Sequence, residues 1–338
     1  MTGADLRTVS QPVFTQIADV IFMEALESAP MQARGSGIFA EEMIPANSGD
    51  SRTYTEYDLE EYAKLKGEGD QAERARTSQG YEKTIKPKRR GLDEVITVEM
   101  RKYNKYPEVI TRLTKLGELV PNRMELDLQH RIGFGTATTY TDMDNETLNI
   151  ATGDTLALFY SLHLLNGSST TYRNILANNP LLSKGSIESM ESMIINNTFN
   201  QLGQIMTLNY DILWTTDDAN TVNTAREYLQ SSADITSNNS GVVNVYKGKY
   251  RHVMLSRVDT DKLGAKDSTK AKYWGLASSS KKPGRLGIWE SPFLISPSAG
   301  NASTDASTED WMYGVRGSYG ICFPTAIGIT LSKGDGAA

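Results

Sequence analysis

The stretch PEVITRLTKLGELVPNRMELDLQHRIG, residues 107–133, carries the longest helical pattern in the chain. Pro107 suits the first turn of a helix, whereas Pro121 is expected to kink the helix or to split it into two segments. At 1.5 Å per residue the helix would be roughly 40 Å long. The pattern predicts one long amphipathic rod that lies along a sheet or along a neighbouring subunit. Its apolar residues follow one another at spacings of three and four: Val109, Leu113, Leu116, Val120, Met124, Leu128 and Ile132.

Two strand-like patterns flank a long polar stretch just before this helix. SRTYTEYDL (51–59) alternates as a strand does, and TIKPKRRGLDEVITVEM (84–100) returns to alternation through Ile96 and Val98. The residues between them are rich in charge, Gly, Gln and Ser and poor in large aliphatic side chains, so they cannot form a core face of their own. Two strand arms around such a stretch predict an extended hairpin that stands away from the body, and disorder is the competing interpretation.

A second amphipathic helix is predicted near the N-terminus, at residues 12–28, PVFTQIADVIFMEALES. Its apolar side chains, among them Ile17, Ile21 and Phe22, recur at helical spacing. Such an apolar stripe needs a partner. That partner is either the core of the same chain or a neighbouring subunit.

Residues 186–231 are typical of an α/β unit. An apolar pattern over 187–194 marks a helix, and LNYDILW (208–214) alternates as a strand. The run TTDD at 215–218 offers capping oxygens to a second helix. Beyond this unit, VVNVYKGKYRHVMLSRV (242–258) predicts two further strands.

Composition excludes some classes of protein. A chain of 338 residues with 39% hydrophobic residues suits two domains with a modest core. The net charge of −6 argues against a protein that wraps nucleic acid by bulk charge. The charge is uneven: eight basic and four acidic residues give +4 over 82–105, whereas one basic and seven acidic residues give −6 over 186–240. Copies of such a chain can attract one another, although two solvated faces without a partner are the alternative.

No catalytic, cofactor or metal motif is complete. The single cysteine, Cys322, excludes an internal disulfide framework, and the three histidines form no ligand pair. Asp142, Asp144 and Glu146 match the first ligands of a calcium loop, but Gly153 stands where the bidentate glutamate belongs, which favours a solvated acidic turn. No apolar run is long enough to cross a bilayer, and no secretory signal is visible. The sequence therefore predicts no enzyme and no cofactor or metal.

Several later segments carry a more specific pattern. They are DILWTTDD (211–218) with TAREYL (224–229), NVYKGK (244–249), KYWGL (272–276), LGIWE (286–290) and WMYGVR (311–316). Together with the arm helix, the polar hairpin and the long helix, their order resembles the major capsid protein of tailed bacteriophages, of the Hong Kong 97-like type. The resemblance implies an α+β phage capsid fold with an N-terminal arm, an extended E-loop hairpin, a long spine helix, a peripheral domain and an axial domain.

The resemblance also implies where these parts lie. The arm would be 1–49, the E-loop 50–100, the peripheral domain 101–154 and 245–300 with the spine helix at 107–133, and the axial domain 155–244 and 301–338.

By the same resemblance, the chain would be a major capsid protein. It would assemble with itself into hexamers and pentamers of an icosahedral head shell that encloses double-stranded DNA without sequence-specific binding. Its partners would be a separate scaffolding protein, a portal and, in some relatives, a cement protein, with no membrane involved. Its place would be the virion, assembled in the host cytoplasm.

Contacts between subunits are expected at the arm helix and at the basic end of the E-loop. The residues concerned are Ile17, Ile21, Phe22, Lys86, Lys88, Arg89 and Arg90. Two other functions stay open. One is an encapsulin-type compartment of the same fold, and the other is a two-domain enzyme whose polar loop is a lid.

Overall fold

The computed structural model describes residues 11–29, 31–45, 48–59, 62–69, 71–103, 105–233, 243–296 and 310–336. The predicted helices at 12–28, at 107–133 and within 186–231 are all found there. Asp218 caps the last of them through its side chain, which accepts a hydrogen bond from the backbone of Thr221. None of the helices in the described ranges is long and apolar enough to span a membrane. The helices are α1 (Gln11–Ser28), α2 (Val98–Lys102), α3 (Tyr106–Gly133), α4 (Lys184–Asn197) and α5 (Ala219–Gln230).

The long helix α3 is a single helix of 28 residues with Pro121 inside it, so of the two expected effects of Pro121, a kink or a split, the split is wrong. Val120 and Met124, on either side of the proline, are both buried. Packing on both sides offsets the hydrogen bond that a proline cannot donate. The helix also lies close to α1, because a Cβ at Gly117 would be 2.9 Å from the carbonyl oxygen of Phe22.

Within the described ranges, the strands form one four-stranded sheet, one three-stranded sheet and three two-stranded pairs. In chain order they are β1 (Phe39–Met43), β2 (Arg52–Leu59), β3 (Thr77–Ile85), β4 (Lys88–Ile96), β5 (Thr139–Thr141), β6 (Thr147–Asn149), β7 (His163–Leu164), β8 (Thr171–Tyr172), β9 (Ile212–Thr215), β10 (Arg251–Met254), β11 (Trp274–Ala277), β12 (Gly284–Ile295) and β13 (Trp311–Cys322). The four-stranded sheet has the order β1-β12-β13-β4, with β1 parallel to β12 and the other neighbours antiparallel. The three-stranded sheet has the order β10-β9-β11.

The core joins the two larger sheets. Phe22 of α1, Leu113 of α3 and Val315 of β13 belong to one buried cluster. Further along α3, Leu128 belongs to a second cluster that also contains Trp214 of β9. The long helix therefore runs beside the four-stranded sheet and reaches the three-stranded one.

The polar hairpin is shorter than the sequence predicts. β2 and β3 pair antiparallel, with Arg52 opposite Ile85 and Leu59 opposite Thr77. The strand through Ile96, expected to be the second arm, is β4, which pairs with β13 instead. Alternation marks a strand but does not identify its partner, which explains the error.

The two larger sheets combine strands from segments that were assigned to different domains. Two strands were predicted within 242–258, whereas the described residues of this range, 243–258, contain one, β10, which lies parallel to β9. β10 and β11, expected in the peripheral domain, share a sheet with β9, which was expected in the axial domain. β13, expected in the axial domain, shares a sheet with β12, which was expected in the peripheral domain. The limits drawn at 245 and 301 therefore cut through both sheets, because strand partners come from distant parts of the chain.

Candidate functional site

The described residues at the tip of the β2–β3 hairpin are exposed. Every residue at 62–69 and 71–76 is exposed, and Leu65 is fully so. Tyr57, Leu59 and Tyr62 also expose more than half of their surface. Large apolar side chains at a protruding tip are typical of a surface that another molecule covers. Sequence analysis predicted the hairpin but did not single out these side chains.

The stem of the hairpin rests on the body of the same chain. Asn166 donates a side-chain hydrogen bond to the carbonyl oxygen of Gln79 at 3.0 Å. The backbone N–H of Gln201 donates to the carboxylate of Asp58, also at 3.0 Å. Gly80 allows the close approach, since a Cβ there would lie 2.9 Å from the Gln201 amide. The stem thus contradicts the prediction of a loop that stands away from the body, whereas the described residues of the tip are exposed to solvent.

Glu56 lies where the stem meets the body, and its pKa is shifted. The Glu56 carboxylate accepts a hydrogen bond from the Gln201 amide at 3.3 Å and lies 3.4 Å from the Lys281 ammonium. Burial raises the pKa of Glu56, and the opposing attraction of Lys281 does not outweigh it. The stem is held to the body mainly by polar contacts.

An arginine–aspartate cluster joins the strand β4, the helix α3 and the turn between β5 and β6. It consists of Arg90 on β4, Arg123 and Asp127 on α3, and Asp142 and Asp144 in the turn between β5 and β6. The Asp142 carboxylate lies 3.1 Å from the Arg90 guanidinium and 3.4 Å from that of Arg123. Arg123 also donates to Asp127 at 2.9 Å, and Arg90 pairs with Asp144. The cluster fixes the edge strand β4 to the long helix.

Asp142 is the buried centre of that cluster. Its side chain is 1% exposed. Burial alone would raise its pKa, but the backbone N–H of Glu146 and the guanidinium of Arg90 outweigh burial and hold the pKa below its usual value. The carboxylate of Asp142, which resembled a calcium ligand in the sequence, thus forms ion pairs with two guanidinium groups. Within the described ranges, no group of acidic, His and Cys side chains has the arrangement of a metal site.

Four basic residues were predicted to contact a neighbouring subunit: Lys86, Lys88, Arg89 and Arg90. Arg90 is part of the arginine–aspartate cluster, and Lys88 pairs with Glu146. Arg89 is exposed and lies 3.5 Å from Glu290. Lys86 is exposed and has no ion pair in the part of the chain that the structure describes. The i, i+4 spacing of Arg123 and Asp127 was a sign of the arginine–aspartate cluster in the sequence. No such local spacing indicated that Arg90 belongs to it.

On the arm helix, the predicted contact residues largely face the chain's own core. Phe22 is completely buried, and Ile17 packs against the same cluster. Ile21 is half-buried. Among residues 17–28 of α1, Val20 and Met23 are exposed apolar side chains, and the sequence did not single them out. Phe22 is therefore not available to a neighbour, because the core of its own chain already encloses it.

The acidic region of 186–240 retains part of its charge at the surface. Glu191 is engaged within the chain, where it accepts from the Lys249 ammonium at 2.8 Å. Glu188 and Glu227 are exposed. Residues 234–240 lie outside the described residues. The described part of this region offers two exposed carboxylates to a basic partner.

A buried histidine–carboxylate pair is the arrangement closest to a catalytic one. His163 Nδ1 lies 2.6 Å from Asp154, and His163 Nε2 lies 3.3 Å from the carbonyl oxygen of Leu158. Both side chains are almost completely buried. A Ser or Cys hydroxyl or thiol would have to stand where the carbonyl stands for this to be a triad. Burial raises the pKa of the Cys322 thiol to about 12, which makes it a poor nucleophile.

Comparison with known proteins identifies the fold. No family model matches the sequence, and no curated protein matches it either. Among solved structures, the capsid of Myoviridae phage XM1 is 13% identical, with a TM-score of 0.50 over 90% of this chain and 91% of that one. The capsid of Ralstonia phage GP4 is 11% identical, with a TM-score of 0.51 over 88% and 87% of the two chains. The chain has the phage capsid fold, as the sequence resemblance implied.

Proposed function

We propose that this chain is the major capsid protein of a tailed bacteriophage. It assembles with itself into hexamers and pentamers of an icosahedral head shell that encloses double-stranded DNA. The single observation that carries the proposal is the combination of the capsid fold with a hairpin whose tip exposes Leu65 and neighbouring apolar side chains. A lone subunit gains nothing from such a tip, whereas a shell gives it a neighbour to cover it.

In the shell, the hairpin tip lies over an adjacent subunit. Lys86 and Arg89 supply positive charge beside the stem, and Glu188 and Glu227 are exposed acidic groups of the kind that such charge would meet on the neighbour. Ile21 of the arm helix stays a proposed contact. Each exposed ion pair contributes little, about 1 kcal/mol or less. Repetition around a closed shell sums such contacts.

The proposal extends to partners and location. A separate scaffolding protein, a portal and a cement protein would complete the head, which is assembled in the host cytoplasm and becomes part of the virion. The net charge of −6 fits a container, because a strongly basic wall would bind the packaged DNA. No sequence-specific contact with DNA is proposed.

Negative-stain electron microscopy of the purified full-length protein, with and without a scaffolding protein, tests the proposal. Closed shells or hexagonal lattices are expected from the wild type. Leu65→Asp should abolish them while the subunit stays folded, and Leu263→Asp, at an exposed leucine on another loop, serves as the matched control. Monomers under every condition would contradict the proposal. Genes for enzyme cargo in place of portal and terminase genes would indicate a compartment instead.

A further inference from the structure

A small cationic cavity lies behind the base of the hairpin. Its volume is about 240 Å³, below the range of pockets for drug-sized ligands. The turn between β3 and β4, the strand β6, the C-terminal half of α3 and the strand β13 surround it. Five basic side chains line it: Lys83, Lys86, Lys88, Arg90 and Arg131.

Acidic groups neutralise only some of these charges. Lys88 pairs with Glu146, and Arg90 with the arginine–aspartate cluster. Asp127 is the one carboxylate in the lining, and it already accepts from Arg123 at 2.9 Å and from the Tyr319 hydroxyl at 2.7 Å.

Three cations are left without a carboxylate partner within the described residues: Lys83, Lys86 and Arg131. Arg131 Nε is buried and has no hydrogen-bond partner in the described structure. Lys83 donates only a long hydrogen bond, 3.4 Å, to the side-chain oxygen of Asn149. Burial lowers the pKa of Lys83, and the positive charge of Arg131 acts in the same direction. Donors without partners in a half-enclosed space cost free energy, because they are partly removed from water. A bound anion would remove that cost.

We infer that this cavity binds a small oxyanion of the phosphate class, held between Lys83, Lys86 and Arg131. A phosphate group offers several acceptor oxygens at once, which suits the combination of an Arg fork and Lys ammonium groups. Asn149 also lines the cavity, and its side-chain oxygen accepts from the backbone N–H of Ala151. The phosphate can be a free ion or part of a DNA backbone, since both present the same oxygens.

Titration of the full-length protein with inorganic phosphate, in a chloride buffer of low ionic strength, tests this site by calorimetry. Phosphate should bind the wild type, and both Lys83→Gln and Arg131→Gln should weaken binding at least tenfold. Lys115→Gln removes an exposed charge from the same helix as Arg131 and should leave the affinity unchanged. If Arg131→Gln does not fold, Lys83→Gln decides.

A parallel titration with a short DNA duplex distinguishes the two sources of phosphate. Binding of inorganic phosphate with the expected dependence on Lys83 and Arg131 assigns the site to a free anion. The same dependence seen only with the duplex assigns it to the DNA backbone. The inference is overturned if neither probe binds, or if both bind the wild type and the two variants equally. Neither titration depends on shell formation, so the site stands or falls independently of the proposed function.

Discussion

The four-stranded sheet buries large apolar side chains in the core, whereas the β2–β3 hairpin exposes several. In the sheet, Leu286 and Val315 are completely buried, in the clusters that also hold the long helix. In the hairpin, Leu59 and Leu65 are exposed to water. Full burial of one leucine is worth about 1.5–3 kcal/mol. The sheet has gained that free energy within its own chain, whereas the hairpin tip can gain it only from another molecule.

Stability of the subunit should therefore depend on the core and not on the tip. The largest effect is expected for Leu128→Ala, since Leu128 is completely buried on α3. Loss of its side chain should lower the free energy of unfolding by about 2–5 kcal/mol, measured by urea denaturation of the full-length chain. Leu119→Ala, on the exposed side of the same helix, is the matched control and should cost much less. Equal losses would show that α3 is not packed as described.

The arginine–aspartate cluster should be the next most sensitive place. Asp142→Asn removes a buried carboxylate and leaves Arg90 and Arg123 with less negative charge, at a cost of up to about 3 kcal/mol. Asp144→Asn is the control, because the Asp144 side chain is half-exposed and its loss should cost about 1 kcal/mol or less. A urea series on both variants measures the difference. A neutral Asp142→Asn would mean that the cluster does not fasten β4 to α3.

The stability that the arginine–aspartate cluster contributes should depend on pH. The pKa of Asp142 is lowered in the folded state, so its carboxylate stabilises the fold above its ordinary value of 3.8, and that stability is lost as pH falls through the lowered pKa. The difference between wild type and Asp142→Asn should therefore be full at pH 7 and shrink only as the pH falls below 3.8. Thermal unfolding at a series of pH values measures this. A difference independent of pH would contradict the role of the charge.

The smallest effect on the subunit is expected at the hairpin tip. Leu65→Ala should change the free energy of unfolding by about 0.5 kcal/mol or less, because the side chain has no contact to lose. The same variant should weaken assembly, since it removes apolar surface that a neighbour would cover. Sedimentation velocity together with urea unfolding separates the two effects. Unchanged assembly, or a clear loss of subunit stability, would contradict the claim that the tip contributes to assembly and the core to subunit stability.

The contrast also explains what the sequence could predict. The helices α1, α3 and α5 follow from local periodicity and capping, which neighbouring residues determine. The pairing of β4 with β13 does not, since Asp93 and its partner Arg316 are 223 positions apart. The cluster around Asp142 was likewise hidden, because Arg90 stands 52 positions away. Helical spacing predicted the apolar stripe of α1 but not the surface against which it packs. Phe22 was therefore assigned to a contact with a neighbouring subunit instead of the core of its own chain.

Hydrogen–deuterium exchange, compared between assembled shells and unassembled subunits, tests the central claim most directly. The account predicts that amides at 62–69 and 71–76 exchange quickly in the free subunit and become protected in the shell. Amides of α3 and β13 should be protected in both states, because their contacts lie within one chain. Tip amides that exchange equally fast in both states would contradict the claim that a neighbouring subunit covers the hairpin.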